Sequence, residues 1–388
     1  MGMNDLYLDA QSQGYYESDK NACACCVGDA FITELIEKNN EIKQCDFCKK
    51  RAKTISVNCI LERFMRFICF FYDRAVESCP VEHGEYLLPT IDVYELADDY
   101  LNVKKDNLFE FLKDQLVLDE VYCEKLNDYG NEIVYSPLWM WNEFSRQLKH
   151  EMRFFFWRNS DHTFHDEPLP YSILFEISKN VEFFNFVKKI PEGTSLFRAR
   201  SGNNFPHTPQ ALGAAPDNIA PDNRMSPAGI SLFYSSSDFK TCLSEVRESQ
   251  STFTVGEWVT CHDMLFLDLS QYLNQENNYH LPNISIFDSD NLDKIPIRNF
   301  FADFLSDVNK KIDREDLSKR YEYVPTQVVA EFFRHIYRTS SGEKLSGIIY
   351  PSCQNPEGKN FVIFCGQRGC LPPERTQFVK LKTIQTVD

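Results

Sequence analysis

The chain has 388 residues, enough for two or three domains at roughly 100–200 residues each. With 43% hydrophobic and 14% aromatic residues it has material for a real core, which excludes a globally disordered protein. Its 41 Lys and Arg against 57 Asp and Glu give a net charge of −16, which speaks against nucleic acid as the main partner. Sequence-independent binding of that kind depends on cations neutralising phosphates.

No stretch approaches the roughly 20 apolar residues of a membrane span. The densest run, Phe67 to Phe71, is short and lies between Arg66 and Asp73-Arg74. Residues 1–20 read as a polar, acidic leader with neither a basic nor an apolar targeting segment. A cytoplasmic protein is expected, with no membrane partner. Its 14 cysteines are then thiols or metal ligands rather than a disulfide framework.

Residues 21–52 form a cysteine module. Cys23-Ala-Cys-Cys26 and Cys45-Asp-Phe-Cys48 make a C-x2-C…C-x2-C pattern with 18 residues between the pairs. That spacing suits a structural zinc held by four thiolates, with no open position for catalysis. Cys23, Cys26, Cys45 and Cys48 are the ligands this register selects. A register through Cys25 is also open, but Cys26 keeps the two-residue knuckle.

Residues 53–166 read as a helical domain. Cys59-Ile60, Phe64, Phe67-Ile68 and Phe71 recur at helical spacing. Asp92 with Glu95 three residues later has the form of a capping box. Asn107 to Val117 and Leu138 to Phe156 supply two more helices. His162 and His165 have metal-like side chains, but their Pro-bounded setting reads as a polar loop.

Residues 167–388 change texture. Short β-type runs appear at Ser195–Arg200, Ile230–Tyr234, Thr252–Gly256, Met264–Leu269, Gly347–Tyr350 and Phe361–Phe364. Helical segments, Asp238–Ser249 and Val324–Arg338, interrupt them. Between Ser201 and Gly229 five prolines rule out regular structure throughout, and a loop of that length inside a compact domain usually covers a site. The fold class expected is α+β: a four-cysteine zinc module and helical bundle, then a mixed α/β domain.

Four segments of this last region read as one site. They are Leu196-Phe-Arg-Ala-Arg200, Arg224 to Tyr234, Thr241-Cys-Leu-Ser-Glu245, and Gly347-Ile-Ile-Tyr-Pro-Ser352 with Asn360 just beyond. Taken singly, each has a plain explanation. A strand arginine is usually solvated, Arg200 above all; a tyrosine in Leu-Phe-Tyr is usually core; Glu245 would be a helix surface charge; Ser352 a turn residue. Jointly, ten residues from Arg224 to Tyr234, eleven from there to Glu245, and a serine in a late Tyr-Pro-Ser turn resemble the RES-domain family. The resemblance spans roughly residues 172–382. The front half, with its cysteine knuckles and the helix ending Lys149-His150, resembles the HEPN-like domain that precedes RES domains in longer proteins.

This resemblance implies an ADP-ribosyltransferase-like fold and consumption of NAD by hydrolysis or phosphorolysis, as in toxin or defence enzymes. Transfer of ADP-ribose to an acceptor, or a non-catalytic NAD sensor, are the alternatives. Nicotinamide leaves a cationic pyridinium as a neutral molecule, so one carboxylate suffices where ordinary glycoside hydrolysis wants two. Glu245 is expected to stabilise the oxocarbenium-like transition state. Arg198 and Arg224 are candidates for the pyrophosphate. Tyr234 is placed at the nicotinamide, and Ser352 at a ribose hydroxyl or phosphate. Gln327 and Glu331, one helical turn apart, are candidates for the pocket wall or for a plain helix face. A HEPN ribonuclease motif needs Arg, four to six residues, then His. Arg146 to His150 has three between and fails, and Arg158 to His165 falls in the loop. The helical domain is therefore expected to regulate, to oligomerise or to bind a regulatory or neutralising partner.

Overall fold

The structure, a computed structural model of the chain, describes residues 12–117, 121–125, 140–154, 169–202, 205–246, 252–270, 281–310 and 321–387. The loop histidines His162 and His165, with Arg158, lie outside them. Two compact units emerge, Met1–Leu138 with Asn283–Pro296, and Trp139–Pro282 with Ile297–Asp388.

In the first unit the helix Val57–Phe71 organises the core. Ser56 caps its N-terminus, accepting from the Asn58 amide. Its buried stripe, Val57, Ile60, Leu61, Phe64, Phe67, Ile68 and Phe71, has the spacing read from the sequence. Ile32, Ile36, Leu96, Leu108, Leu112, Phe287 and Leu292 join the same cluster. The helix Val93–Tyr100 opens with the expected capping box. Asp92 accepts from the amides of Tyr94 and Glu95, and Glu95 reaches back to the Asp92 amide. Short strands also occur here, which the helical reading does not foresee. Asn21–Cys23, Arg51–Ser56 and Ile42–Gln44 form one sheet; Tyr72–Arg74, Val121–Glu124 and Ile91–Asp92 another. Most span two to four residues, too few to leave an alternating pattern.

The second unit is built on an eight-stranded mixed sheet. Its order is Val379–Val387, Phe253–Thr260, Ser195–Ser201, Phe233–Ser236, Lys359–Ile363, Gly347–Pro351, Met264–Asp268, Val187–Ile190. Among the described residues the pairing of Met264–Asp268 with Gly347–Pro351 is its one parallel pairing. Trp258, Phe233, Phe266 and Ile363 fill one layer against it. The helix Met140–His150 belongs to this unit, where Trp141 and Phe144 meet Phe300 edge-on. Among its described residues the proline-rich segment contains a short helix, Pro209–Leu212, and a 3-10 turn, Asp217–Ile219. Among the described residues no helix is long and apolar enough to cross a membrane.

Candidate active site and metal centre

In the first unit Cys23 ends a strand, Cys26 sits in the helical turn Ala24–Val27, and Cys45 and Cys48 flank a tight turn. Their sulfurs all lie within 4.8 Å of one another. The closest pairs are 3.7 Å for Cys23–Cys26, 3.6 Å for Cys23–Cys48 and 3.7 Å for Cys26–Cys45. Zinc–sulfur bonds of about 2.3 Å in a tetrahedron put the sulfurs about 3.8 Å apart, so the four residues fit that ion. Cys25 is exposed and outside the group.

In the second unit a cavity of about 380 Å³ opens beside the sheet, within the range of small-molecule sites. Its wall includes Arg198, Arg200, Arg224, Tyr234, Glu245, Tyr350 and Asn360. Of the residues the sequence singles out, Arg198, Arg224, Tyr234 and Glu245 are thus brought together on one wall. Glu245 is its only carboxylate among the described residues, against three arginines.

Glu245 is the last residue of the helix Phe239–Glu245. A carboxylate is disfavoured there, because the helix dipole is negative at that end. Local contacts hold it nonetheless. Its Oε1 accepts from Ser352 Oγ at 2.6 Å and from Asn360 Nδ2 at 2.7 Å. Ser236 Oγ donates to Asn360 Oδ1 at 2.8 Å, which fixes the amide so that its NH2 faces Glu245. The helix itself is anchored by Asp238, which accepts from the Thr241 amide and hydroxyl at 2.8 and 2.6 Å. Asn355 donates to Thr241 Oγ1 at 2.7 Å, and the Asn355 amide donates to Ser352 Oγ at 3.0 Å. The turn carrying Ser352 is thereby tied to the helix carrying Glu245. Gly358 closes the same turn; a Cβ there would fall 2.0 Å from Thr241 Oγ1.

Ser352 is 2% exposed and is not part of the cavity wall. Arg198, on Ser195–Ser201, donates to the Tyr234 carbonyl, and burial together with the neighbouring Arg200 cation pushes its pKa down to about 9. Tyr234 shares a 2.9 Å hydrogen bond with Ser226 through its hydroxyl. Arg224 donates from Nη1 to the Asp307 carbonyl at 2.9 Å and from Nη2 to the Lys310 carbonyl, at the C-terminal end of the helix Ile295–Asn309. Gln327 is buried and donates to Asp222 and to the Asn223 carbonyl, holding the Arg224 loop from behind, and Glu331 does not line the cavity either. Cys242 is on the wall, but burial pushes its thiol up to about 12, so it is no thiolate nucleophile at neutral pH.

Asn360, Tyr350 and Arg200 carry no expected role in the sequence reading. Asn360 follows Lys359 at the start of a strand that continues Phe-Val-Ile, the local hint of a polar duty. It pairs across the sheet with Tyr350, whose hydroxyl pKa is raised by burial and by the Glu245 charge. Arg200 follows Arg198 by two residues and so shares its strand face, a signal that strand alternation makes available.

The family comparison covers the region of the cavity. Residues 195–379, which hold every cavity residue named above, match the RES domain, and residues 38–162 match the HEPN/RES N-terminal domain 1. The chain pairs a HEPN/RES N-terminal domain with a RES domain. No curated protein and no solved structure matches it. Within the RES domain lie the wall with Arg224, Tyr234 and Glu245, and Ser352 behind it. Of the cysteines that could hold a metal, Cys45 and Cys48 fall inside the N-terminal match, and Cys23 and Cys26 precede it.

Proposed function

We propose that the RES domain cleaves the nicotinamide–ribose bond of NAD, with Glu245 stabilising the ribosyl cation as nicotinamide departs. One observation carries the reading: a single carboxylate, at a helix end that disfavours it, is held by two donors in a cavity whose other charged wall residues, among the described ones, are three arginines. Membership among RES domains, which act on NAD, supports the same substrate. A carboxylate 4 Å from a unit positive charge is worth about 4 kcal/mol at an effective dielectric of 20, an upper guide to what Glu245 supplies.

In this reading Tyr234 borders the nicotinamide ring and Arg198 supplies charge to the pyrophosphate. Arg224 adds positive charge to the wall while its guanidinium tips hold the helix end. Ser352 acts through Glu245. The four N-terminal cysteines hold a structural zinc, which would contribute folding energy rather than chemistry. Nicotinamide release from NAD by the full-length protein tests the activity. Glu245→Gln keeps the shape and removes the charge, so turnover falls by about two orders of magnitude with NAD affinity little changed. Turnover that survives this substitution refutes the assignment.

A further inference from the structure

Arg198 and Arg200 stand on one face of the strand Ser195–Ser201, and both line the cavity. Each spends one terminal nitrogen on a backbone carbonyl, Arg198 on Tyr234 and Arg200 on Gly213 at 2.9 Å. Both Nε atoms are shut off from solvent with no hydrogen-bond partner. No carboxylate compensates either cation among the described residues. Across the sheet they face Gly256 and Thr254, and the groups that raise their pKa values are thiols and a tyrosine. Burial depresses both cations, and for Arg198 the neighbour's charge adds to the effect.

Two half-buried like charges without a counter-charge are an unfavourable arrangement, because arginines withdrawn from water are ordinarily paired. Their forked donors match phosphate oxygens. Arg224 differs, since both of its terminal nitrogens already bind carbonyls. We propose that Arg198 and Arg200 together form an anion subsite in the floor of the cavity for a phosphate or pyrophosphate group, with Arg200 a binding residue in its own right. The subsite deepens the NAD reading and rests on it only for the identity of the natural ligand.

The test is calorimetric titration and thermal melting of the full-length protein with inorganic pyrophosphate, orthophosphate and ADP-ribose. Arg200→Gln removes one uncompensated cation. The ligand-free variant should melt no lower than wild type, and its affinity for pyrophosphate and ADP-ribose should fall at least tenfold. Arg200→Lys keeps the charge without the fork, and its affinity should fall between the two. Unchanged affinity with a lowered melting temperature, the result of a purely structural tie to Gly213, overturns the proposal. Competition between pyrophosphate and ADP-ribose assigns the subsite to the bridge of a dinucleotide. Orthophosphate binding that persists in ADP-ribose-saturated protein assigns it to free phosphate. Pyrophosphate binding through Arg200 in a protein that does not take up NAD would keep the subsite and remove the NAD reading.

Discussion

Ser352 donates its hydroxyl to Oε1 of Glu245 across 2.6 Å. The direction is set locally, because the Ser352 oxygen itself accepts from the amides of Gln354 and Asn355, leaving its single proton for the carboxylate. The serine expected from sequence at a ribose hydroxyl or phosphate is buried and hydrogen-bonded to the carboxylate, which motivates a test of its role through Glu245. A hydrogen bond to a charged group contributes about 1.5–3 kcal/mol, so Ser352→Ala should lower kcat by roughly ten- to hundredfold. The KM for NAD should stay within about threefold, as Ser352 is not on the cavity wall. Steady-state kinetics check this; a rise in KM with kcat intact would restore a direct substrate contact.

Asn360 gives a complementary prediction. Asn360→Asp replaces the NH2 that donates to Glu245 with a second carboxylate of the same shape. Two carboxylates sharing one site raise the pKa of one of them. The new pair then holds a proton to higher pH than a single carboxyl does, and the acid limb of the pH–rate profile should lie above that of wild type. An unshifted limb with reduced rate would mean that Asn360 acts on the substrate rather than on Glu245.

Asp238 secures the helix that ends in Glu245. Burial by itself would raise its pKa, but hydrogen bonds from Thr241 and Ser237 outweigh it and the net shift is downward. A depressed carboxyl contributes stability above its unfolded value of about 3.9, and that stability is lost as pH falls through the lower folded value. Asp238→Ala should therefore cost about 0.5–2 kcal/mol at pH 7, the usual worth of such a cap. The gap from wild type should close at lower pH. Chemical denaturation at pH 7 and pH 3 measures both.

How far the sequence carries can be judged from particular residues. The stripe from Val57 to Phe71, the Asp92–Glu95 box and the four clustered cysteines are local patterns, and the structure has each of them. Glu245, Tyr234, Arg224 and Arg198 come to one wall although up to 47 residues separate them, because their spacing as a set is informative when no single residue is. The network from Asp238 through Thr241 and Asn355 to Ser352 is not legible that way. It joins positions more than a hundred residues apart through side chains whose local role is an ordinary turn or cap. Arg200 looks solvated for a similar reason, since its burial comes from sheet neighbours far along the chain.

The cysteine cluster predicts metal content. Full-length protein should carry about one zinc per chain, and Cys45→Ser should lose it and destabilise the first unit, because structural zinc contributes directly to folding. Cys25→Ser should retain the ion, since Cys25 is exposed and outside the group. Elemental analysis with thermal melting decides. Metal-free wild type of unchanged stability would refute the zinc assignment.

Arg224 offers the sharpest contrast between a structural and a ligand-binding arginine. Its guanidinium binds the carbonyls of Asp307 and Lys310, where the helix dipole favours a cation, and it lies 5.7 Å from the centre of the Tyr323 ring. Thr326, in the helix Val324–His335, also donates to the Arg224 carbonyl at 2.6 Å, so the loop is held by its side chain to one helix and by its backbone to another. Arg224→Gln should destabilise the protein by about 1–2 kcal/mol, toward the low end for charge-assisted bonds because the site is partly open to solvent. Affinity for ADP-ribose should fall less than tenfold in the folded protein, since only the charge on the wall is lost while the anion subsite stays intact. Arg200→Gln should show the reverse order, with little loss of stability and a larger loss of affinity. Measuring both variants by denaturation and calorimetry sets the two roles side by side. A larger affinity loss at Arg224 than at Arg200 would return the phosphate contact to Arg224 and leave Arg200 as scaffold.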